Sequence, residues 1–223
     1  MLSLPDVTLV AVTSVEIEAT LMALSISAHA IEFGQIKFLT SEAPISPDPK
    51  IQVVNIPRLD WRGYSKFMIE SLDQHISTSH CLIIQADGFV LNPDRWQAIF
   101  LDYDYIGAPW PVQLFAGPGD HVLDMKSNQV GNGGFSLRSK KLLRETAKIN
   151  FDSMTFPLIH EDLVICHYLL EDMLSLGIKF PKPEIAAQFA VESPNASFGQ
   201  NPYTSFGFHG KSTRDEIFKV FKE

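Results

Sequence analysis

The sequence predicts an α/β fold whose central sheet is mostly parallel and lies between two helical layers. Residues 7–12 form a continuous apolar, β-branched run, as expected of a strand buried on both faces. The first 90 residues then alternate as strand, helix, strand, loop, strand, helix and strand, an order that favours parallel pairing through right-handed crossovers. We therefore expect a ligand beyond the carboxyl ends of these strands.

Each element of the first half follows from a local pattern. Strands are predicted at residues 7–12, 36–40, 51–56 and 81–85, where apolar residues run together. Helices are predicted at residues 16–29 and 64–76, where apolar residues recur at helical spacing. Pro44, Pro47 and Pro49 mark a loop between the second and third strands.

The second half is less regular. Pro93 opens a short helix at residues 92–96, and residues 104–110 form a strand that leads into a proline-bounded turn. Residues 111–129 are polar, contain glycine and lack a clear period, which predicts a mobile loop or an insertion. Helices are predicted at residues 139–149, 161–176 and 215–221. Neither a repeat nor a linker interrupts the sequence, so residues 1–223 are expected to form one domain.

Composition narrows the class of protein. The formal net charge is −8 over 223 residues, and the sequence has no run of lysine or arginine, which argues against nucleic-acid binding. No apolar run reaches about 18 residues, and the first residues lack a signal-peptide pattern. Cys81 and Cys166 lie in apolar segments, as buried thiols do in a reducing compartment. We expect a cytoplasmic protein without a transmembrane segment; peripheral contact with the inner face of a membrane stays open.

A glycine-rich segment followed by an acidic pair is the strongest chemical signal. Residues 131–134 read Gly-Asn-Gly-Gly, and such a turn lets the backbone approach a ligand closely because no Cβ intervenes. Glu161 and Asp162 follow, at the start of an apolar helical run. A carboxylate there can cap the helix, and one of the two can also remove a proton from a ligand. Both roles stay open for this pair.

Two further residues have both a structural and a functional interpretation. Asp87 follows the fourth strand and precedes a glycine, where it could reach a diphosphate or a divalent cation, or could simply shape the turn. His209 lies among glycines and aromatic residues, which suggests a tight loop with the ring directed inward. A histidine in such a loop serves either as a structural hydrogen-bonding group or as a ligand.

Other chemistries have weaker support. His160, Glu161 and His167 would allow a metal hydrolase, but Val164 breaks the His-Glu-x-x-His spacing of zinc peptidases. Ser136 lacks the second glycine of a nucleophile elbow. The sequence contains neither a Gly-x-x-x-x-Gly-Lys-Ser/Thr loop nor a Gly-x-Gly-x-x-Gly motif after its first strand, which disfavours a phosphate-loop kinase and a dinucleotide oxidoreductase.

Four segments together carry a family resemblance. They are Gln-Ala-Asp-Gly at 85–88, Tyr-Asp-Tyr-Ile-Gly-Ala-Pro-Trp at 103–110, Gly-Asn-Gly-Gly-Phe-Ser-Leu-Arg-Ser at 131–139 and Glu-Asp at 161–162. The combination resembles glycosyltransferases of the GT-A type. More closely, it resembles a family of uncharacterised bacterial proteins assigned as glycosyltransferases, over roughly residues 50–210. The resemblance implies a GT-A-like fold.

The resemblance also implies a reaction. A nucleotide-sugar would donate its sugar to a hydroxyl of a glycan acceptor, as in polysaccharide biosynthesis and with inversion at the sugar carbon. Asp162 is the first choice of base and Glu161 the second. GT-A enzymes usually hold Mn²⁺ or Mg²⁺ with Asp-x-Asp, where this sequence has Gln85 and Asp87. Asp87, together with His209 in the position of a late histidine ligand, is therefore expected to hold such a metal.

The remaining site residues follow from the same likeness. Residues at the ends of the first and fourth strands, with nearby cations, are expected to bind the donor: Thr13, Ser14, Val15, Arg58, Arg62, Lys66, Gln85, Ala86 and Asp87, with Arg138 as a further cation. The sugar or acceptor is expected to contact Trp110, Asn132, Gly133 and Gly134. Because Gln85 replaces an acidic residue, a non-catalytic nucleotide- or glycan-binding module that keeps the fold is the alternative.

Overall fold

The structure, a computed structural model, describes residues 1–117, 121–192, 198 and 201–220. Its strands are β1 (Leu2–Thr13), β2 (Ile31–Thr40), β3 (Gln52–Asn55), β4 (His80–Ile84), β5 (Tyr105–Ile106), β6 (Gln113–Ala116), β7 (His121–Asp124), β8 (Ser136–Ser139), β9 (Ala190–Val191) and β10 (Gly207–Phe208). Its α-helices are α1 (Ile17–His29), α2 (Trp61–Lys66), α3 (Lys140–Thr146), α4 (Glu161–Leu163), α5 (Leu170–Ser175), α6 (Pro183–Phe189) and α7 (Lys211–Val220).

The central sheet has six strands in the order β3-β2-β1-β4-β8-β5. β1 pairs in parallel with both β2 and β4, and β2 pairs in parallel with β3. β8 runs antiparallel between β4 and β5, with Ile83 opposite Ser136. The predicted α/β fold with a mostly parallel sheet is confirmed. Because β8 is reversed, its first residue lies at the same edge as the last residues of β1 and β4.

Both faces of the sheet are covered, which explains the continuous apolar runs of its strands. Leu9 and Ala11 of β1 point to one face, into an apolar cluster that includes residues of α1 and α7. Val10 points to the other face, where Met68 of the helical segment 61–75 packs against it in a second cluster. A third cluster joins β5, α3 and the segment 161–175. The result is a layer of helices on each side of the sheet.

Residues 111–129, predicted as a mobile loop or an insertion, contain the antiparallel pair β6–β7. Leu114 and Leu123 are half-buried against the core, whereas their neighbours Phe115 and Val122 are exposed. This alternation has the period of a strand, but it extends over only four residues in each strand. Glycine and proline at 117–119 separate the two short runs, so no period was recognisable in the sequence.

Two predicted helices change their winding along their length. The segment predicted at 64–76 begins at Trp61, because Asp60 accepts a hydrogen bond from the Gly63 N–H at 2.6 Å, and it continues as a π-helix (Phe67–Ser71) and a 3₁₀-helix (Leu72–His75). The segment predicted at 161–176 consists of α4, a π-helix (Val164–Tyr168) and α5.

The remaining helices differ from the prediction mainly in their ends. Ser139 accepts a hydrogen bond from the Leu142 N–H at 3.0 Å and so caps α3, which ends before the predicted residue 149. α7 begins four residues earlier than predicted, and its predicted last residue, Phe221, lies outside the described residues. α6 was not predicted, since it is only seven residues long. Within the described part of the chain, no helix is long and apolar enough to cross a membrane.

Candidate active site

A cavity of about 520 Å³ opens at the edge of the sheet where β1 and β4 end. This is the edge at which parallel sheets bind ligands, and at which the sequence predicted a ligand. Five short segments and five single residues line it: residues 12–16, 59–61, 85–87, 132–134 and 160–162, with Thr20, Tyr64, Ser65, Glu192 and His209. The structure thus brings together the ends of two strands, the glycine-rich turn and the acidic pair.

The turn after β1 is fixed by local hydrogen bonds. The Thr13 hydroxyl donates to the Val15 carbonyl at 2.6 Å and accepts from the Val15 N–H at 3.1 Å. Ser14 is buried, and its hydroxyl accepts from the Leu59 N–H at 2.8 Å, which ties this turn to the segment before α2. Ser14 does not cap α1, because Glu16 occupies the N-cap position. All three residues predicted at the end of the first strand therefore line the cavity.

The end of β4 meets the C-terminal loop. His209 Nε2 lies 3.1 Å from Gln85 Oε1 and 3.4 Å from Asp87 Oδ1, while its Nδ1 lies 3.3 Å from Glu192 Oε1. The Gln85 amide donates to the Tyr64 hydroxyl at 2.9 Å. Both ends of the Gln85 amide are therefore engaged by neighbouring side chains.

The ionisable groups of this cluster favour their charged forms. Burial raises the pKa of Asp87, but the hydrogen bond and charge of His209 outweigh it and hold that pKa below its ordinary value. Burial lowers the pKa of His209, but its hydrogen bonds to Asp87 and Glu192 prevail and raise the pKa to about 10. Burial raises the pKa of Tyr64, so its hydroxyl stays protonated and can donate to a ligand.

Asp87 and His209 converge as the metal prediction requires. A carboxylate oxygen and an amide oxygen lie within 3.4 Å of the same imidazole nitrogen, and together with the neutral imidazole they form a donor set that Mn²⁺ accepts. Among the described residues, no group of three His, Cys, Asp or Glu side chains has the geometry to hold a metal ion. The residues present therefore fit a partial shell, of the kind that substrate phosphates complete.

The glycine-rich turn approaches the acidic pair and the C-terminal loop closely. Asn132 has a φ of 60°, and its Oδ1 accepts from the Gly134 N–H at 3.0 Å. The Gly133 N–H donates to Asp162 Oδ2 at 3.0 Å. A Cβ on Gly133 would lie 1.9 Å from a carboxylate oxygen of Glu161, and one on Gly134 would lie 2.1 Å from His209 Nε2. Both glycines are therefore required by close packing around the cavity.

The two acidic residues have different partners. Glu161 Oε1 lies 3.0 Å from Arg138 Nη2 in a buried ion pair, and Arg138 also donates from Nε to the Ser136 hydroxyl at 3.2 Å. Ser136 in turn donates to the Gly133 carbonyl at 3.1 Å. Arg138 is fully buried beneath the turn, so this candidate cation serves Glu161 and does not line the cavity.

Asp162, in contrast, has no cationic partner among the described residues. Its carboxylate accepts hydrogen bonds from the Gly133 and Leu163 backbone N–H groups, at 3.0 and 2.8 Å. Burial, followed by the charge of Glu161, raises the pKa of Asp162 to about 7. A carboxylate with such a pKa can accept a proton from a ligand near neutral pH.

Besides Arg138, four predicted residues do not line this cavity. Arg62 and Lys66 both pair with Asp152 on the surface. Arg58 lines a neighbouring cavity, which shares Val15, Leu59 and Asp60 with the first. Trp110 is buried, and a Cβ on Gly131 would lie 2.0 Å from its ring, so Trp110 supports the glycine-rich turn from behind.

Trp61, Tyr64 and Glu192 line the cavity but were not singled out in the sequence. Trp61 is 61% exposed, and its ring centroid lies 5.7 Å from that of His160. The available signal was Asp60, a residue type that caps helices, directly before Trp61 and just ahead of the predicted helix. His167, which the metal-hydrolase alternative pairs with His160, contacts Tyr168 and does not line the cavity.

The cavity is strongly acidic. Six carboxylates among the described residues line it: Glu16, Asp60, Asp87, Glu161, Asp162 and Glu192. No lysine or arginine of the described part of the chain lines it, and Arg138 lies behind its wall. An anionic ligand in this cavity therefore needs His209, a metal ion or backbone N–H groups to offset the negative charge.

Two solved structures resemble the fold. A glycosyltransferase involved in the glycosylation of the major capsid of PBCV-1 covers 99% of this chain and 100% of its own, at 12% identity and a TM-score of 0.49. The galactosyltransferase LgtC, solved with donor and acceptor sugar analogues, covers 91% of this chain and 86% of its own, at 12% identity and a TM-score of 0.49. Because both TM-scores lie below 0.5, neither likeness carries an argument about this protein's activity.

No curated protein matches the sequence. A family described as "Protein of unknown function (DUF5672)" matches residues 50–209, a range that contains all four segments of the sequence resemblance. Since the match covers more than half of the chain, the protein belongs to the DUF5672 family.

Proposed function

We propose that this protein is a glycosyltransferase that moves a sugar from a nucleotide-sugar donor to a hydroxyl of a glycan acceptor. The observation that carries the proposal is the position of Asp162. This half-buried carboxylate lies in the same cavity as the turn after β1 and the Asp87–His209 pair. One cavity thus offers a place for a nucleotide, groups for a diphosphate and a base for a hydroxyl.

In this proposal Asp162 takes the proton of the acceptor hydroxyl. The acceptor oxygen forms the new bond to the sugar carbon as the bond to the diphosphate oxygen breaks, and the nucleoside diphosphate leaves with the electron pair. Attack opposite to the leaving group inverts the sugar carbon. The pKa of Asp162, raised by burial and by Glu161 to about 7, supports it as the base, since an effective base has a pKa near the working pH.

The leaving diphosphate needs positive charge. His209 supports this role, because its pKa of about 10 keeps the ring protonated beside Asp87. Alternatively, with its ring deprotonated, His209 would hold a bound Mn²⁺ or Mg²⁺ together with Asp87, and the metal would neutralise charge on the leaving group. Arg58, an exposed cation, lines the neighbouring cavity together with Val15 of the turn after β1.

A non-catalytic nucleotide- or glycan-binding module is the second candidate. Gln85 favours it, because both ends of its amide are engaged by Tyr64 and His209, and an amide oxygen is a weaker ligand than a carboxylate for a hard cation.

Either function is compatible with a cytoplasmic location. We propose that location because both Cys81 and Cys166 are free and buried, as cysteines are in a reducing compartment.

A panel of nucleotide-sugars, tested by thermal shift with and without Mn²⁺, identifies the donor, because a ligand of the native state raises its melting temperature. Release of nucleoside diphosphate from that donor is then measured with a mixture of glycans as acceptors. Transfer that Asp162→Asn abolishes supports the enzyme. Donor binding without transfer, unchanged by Asp162→Asn, would support the binding module, and no shift by any nucleotide-sugar would reject the proposal.

A further inference from the structure

We propose that Trp61, with His160 beside it, forms the acceptor subsite, and that this subsite takes an uncharged pyranose. The inference rests on the proposed function, because it assigns a place to the acceptor of that reaction. It starts from an aromatic ring pair at the cavity, which the donor and base roles leave unused.

The exposure of Trp61 is unusual for its residue type. Of the three tryptophans, Trp96 is half-buried in the core, Trp110 is 4% exposed and Trp61 is 61% exposed. Asp60 caps α2 and fixes Trp61 as the first residue of that helix, so the position of its backbone is well defined. A large apolar ring left exposed on the wall of a cavity indicates a binding surface.

The position of His160 places this ring pair on the base side of the cavity. His160 immediately precedes the acidic pair and is the N-cap residue of α4, without a side-chain capping bond. Its ring therefore remains available, and it lies 5.7 Å from the Trp61 ring at an angle of 36°. Because Trp61, His160 and Asp162 line the same cavity, a molecule that presents a hydroxyl to Asp162 can contact these rings.

The chemistry of the ring pair suits a sugar. A pyranose presents C–H groups on one face, and these weakly positive groups pack on the negative face of an aromatic ring. The acidic cavity disfavours a carboxylated or sulfated sugar, since Glu16, Asp60 and Glu192 would repel it. An uncharged pyranose satisfies both conditions.

The Trp61 ring could instead stack on the base of the nucleotide, and the following experiment distinguishes this role from acceptor binding. Binding to an array of neutral and anionic glycans is measured for the wild type, Trp61→Ala and Trp61→Phe, with Tyr203→Ala as a matched control for an exposed aromatic residue outside the cavity. The rise in melting temperature caused by nucleoside diphosphates is measured for the same proteins.

We expect neutral glycans to bind, Trp61→Ala to weaken that binding by about tenfold or more, and Trp61→Phe to weaken it by about threefold or less. The nucleotide-induced shift should be unchanged in all variants. The proposal would be overturned if Trp61→Ala bound glycans as well as the wild type does, or if the wild type bound only anionic glycans or no glycan. It would also be overturned if the wild type showed a nucleotide-induced shift that Trp61→Ala lost. Tryptophan-dependent glycan binding without any nucleotide shift would reject the proposed transferase while leaving the subsite in place.

Discussion

Two adjacent carboxylates of this site carry different tasks because their partners differ. Glu161 pairs with the buried Arg138, which fixes the glycine-rich turn through Ser136. Asp162 receives only backbone N–H groups and faces the cavity. The sequence singled out the pair and ranked Asp162 first, but it offered no way to see that Arg138 neutralises Glu161. That ion pair joins a strand to a helix start 23 residues later, and its two members were assigned separate roles.

Asp162→Asn tests the role of the base. If Asp162 removes the acceptor proton, the substitution should lower turnover by about 10²–10⁴-fold while donor binding stays intact. Asparagine keeps the size of the side chain and accepts the hydrogen bond from Gly133. Steady-state kinetics and nucleotide-induced thermal shift, measured on one preparation, separate the two effects. Turnover within about threefold of the wild type would remove Asp162 from the mechanism.

Glu161→Gln is the matched control, and its expected effect is on stability. It leaves the charge of the buried Arg138 without a counter-charge, which costs up to about 3–5 kcal/mol of unfolding free energy. Asp152→Asn removes the partner of Lys66 on the surface and should hardly change the melting temperature. Chemical denaturation of the three proteins checks this order. Equal stability of Glu161→Gln and the wild type would contradict the assigned role of the ion pair.

The pKa of Asp162 predicts opposite trends for rate and stability with pH. Its ordinary value is 3.8, and burial with the charge of Glu161 raises it to about 7 in the folded protein. The folded state therefore binds more protons than the unfolded state between these values, so stability from this group falls as pH rises through about 7. The rate, which needs the ionised form, should rise over the same range.

Melting curves and kcat/KM from pH 5 to pH 8 check both trends. Asp162→Asn carries no titrating group at this position, so its melting temperature should gain on that of the wild type as pH rises. If the difference in melting temperature between the wild type and the variant stayed constant across this range, the pKa of Asp162 would not be raised in the folded protein.

At the scale of elements, the sequence was most informative where a segment is buried on both faces. β4 and residues 7–12 of β1 are continuous apolar runs and could be predicted as strands, whereas residues 2–6 at the start of β1, most of them exposed, were missed. β8 was not predicted as a strand, because it is only four residues long and Leu137 is its one apolar residue. The two π-helices, Phe67–Ser71 and Val164–Tyr168, were also not predicted. A π-helix differs from an α-helix in its backbone hydrogen bonds, and over five residues the spacing of apolar residues does not reveal that difference.

The glycine-rich turn depends on its contacts with other elements. A Cβ on Gly134 would overlap the His209 ring, so Gly134→Ala should push the C-terminal loop away from β4 and lower the melting temperature. His209→Ala removes that ring and makes room for the added methyl group. We therefore expect the double variant to be more stable than the sum of the two single effects predicts.

Thermal unfolding of the two single variants and the double variant gives this coupling directly. Strict additivity would show that the turn and the ring do not touch in solution. If Gly134→Ala lost stability and the double variant recovered none of it, the strain would lie elsewhere in the turn.

The whole molecule carries a net charge of −8, and the cavity of the candidate active site is lined by acidic residues. A nucleoside diphosphate should therefore bind more tightly with Mn²⁺ than with a chelator, whereas the uncharged nucleoside should bind equally in both. Asp87→Asn should reduce the effect of Mn²⁺ on the diphosphate, because it removes a carboxylate from the partial shell. Calorimetric titration of both ligands checks this, and equal affinity for the diphosphate in Mn²⁺ and in chelator would remove the metal from the site.

The reversed strand β8 also divides the chain around the cavity into two parts, one up to the end of β4 and one beyond it, which differ in how freely their length can vary. Residues 12–16 and 85–87 line the cavity from the ends of β1 and β4, whereas residues 132–134 line it from the turn before β8. The chain between β5 and β8 leaves the sheet and returns to it at one edge, so its length can change without shifting the register of either strand. The wall of the cavity formed by the turn before β8 can therefore change in shape while the wall formed by the ends of β1 and β4 stays as it is.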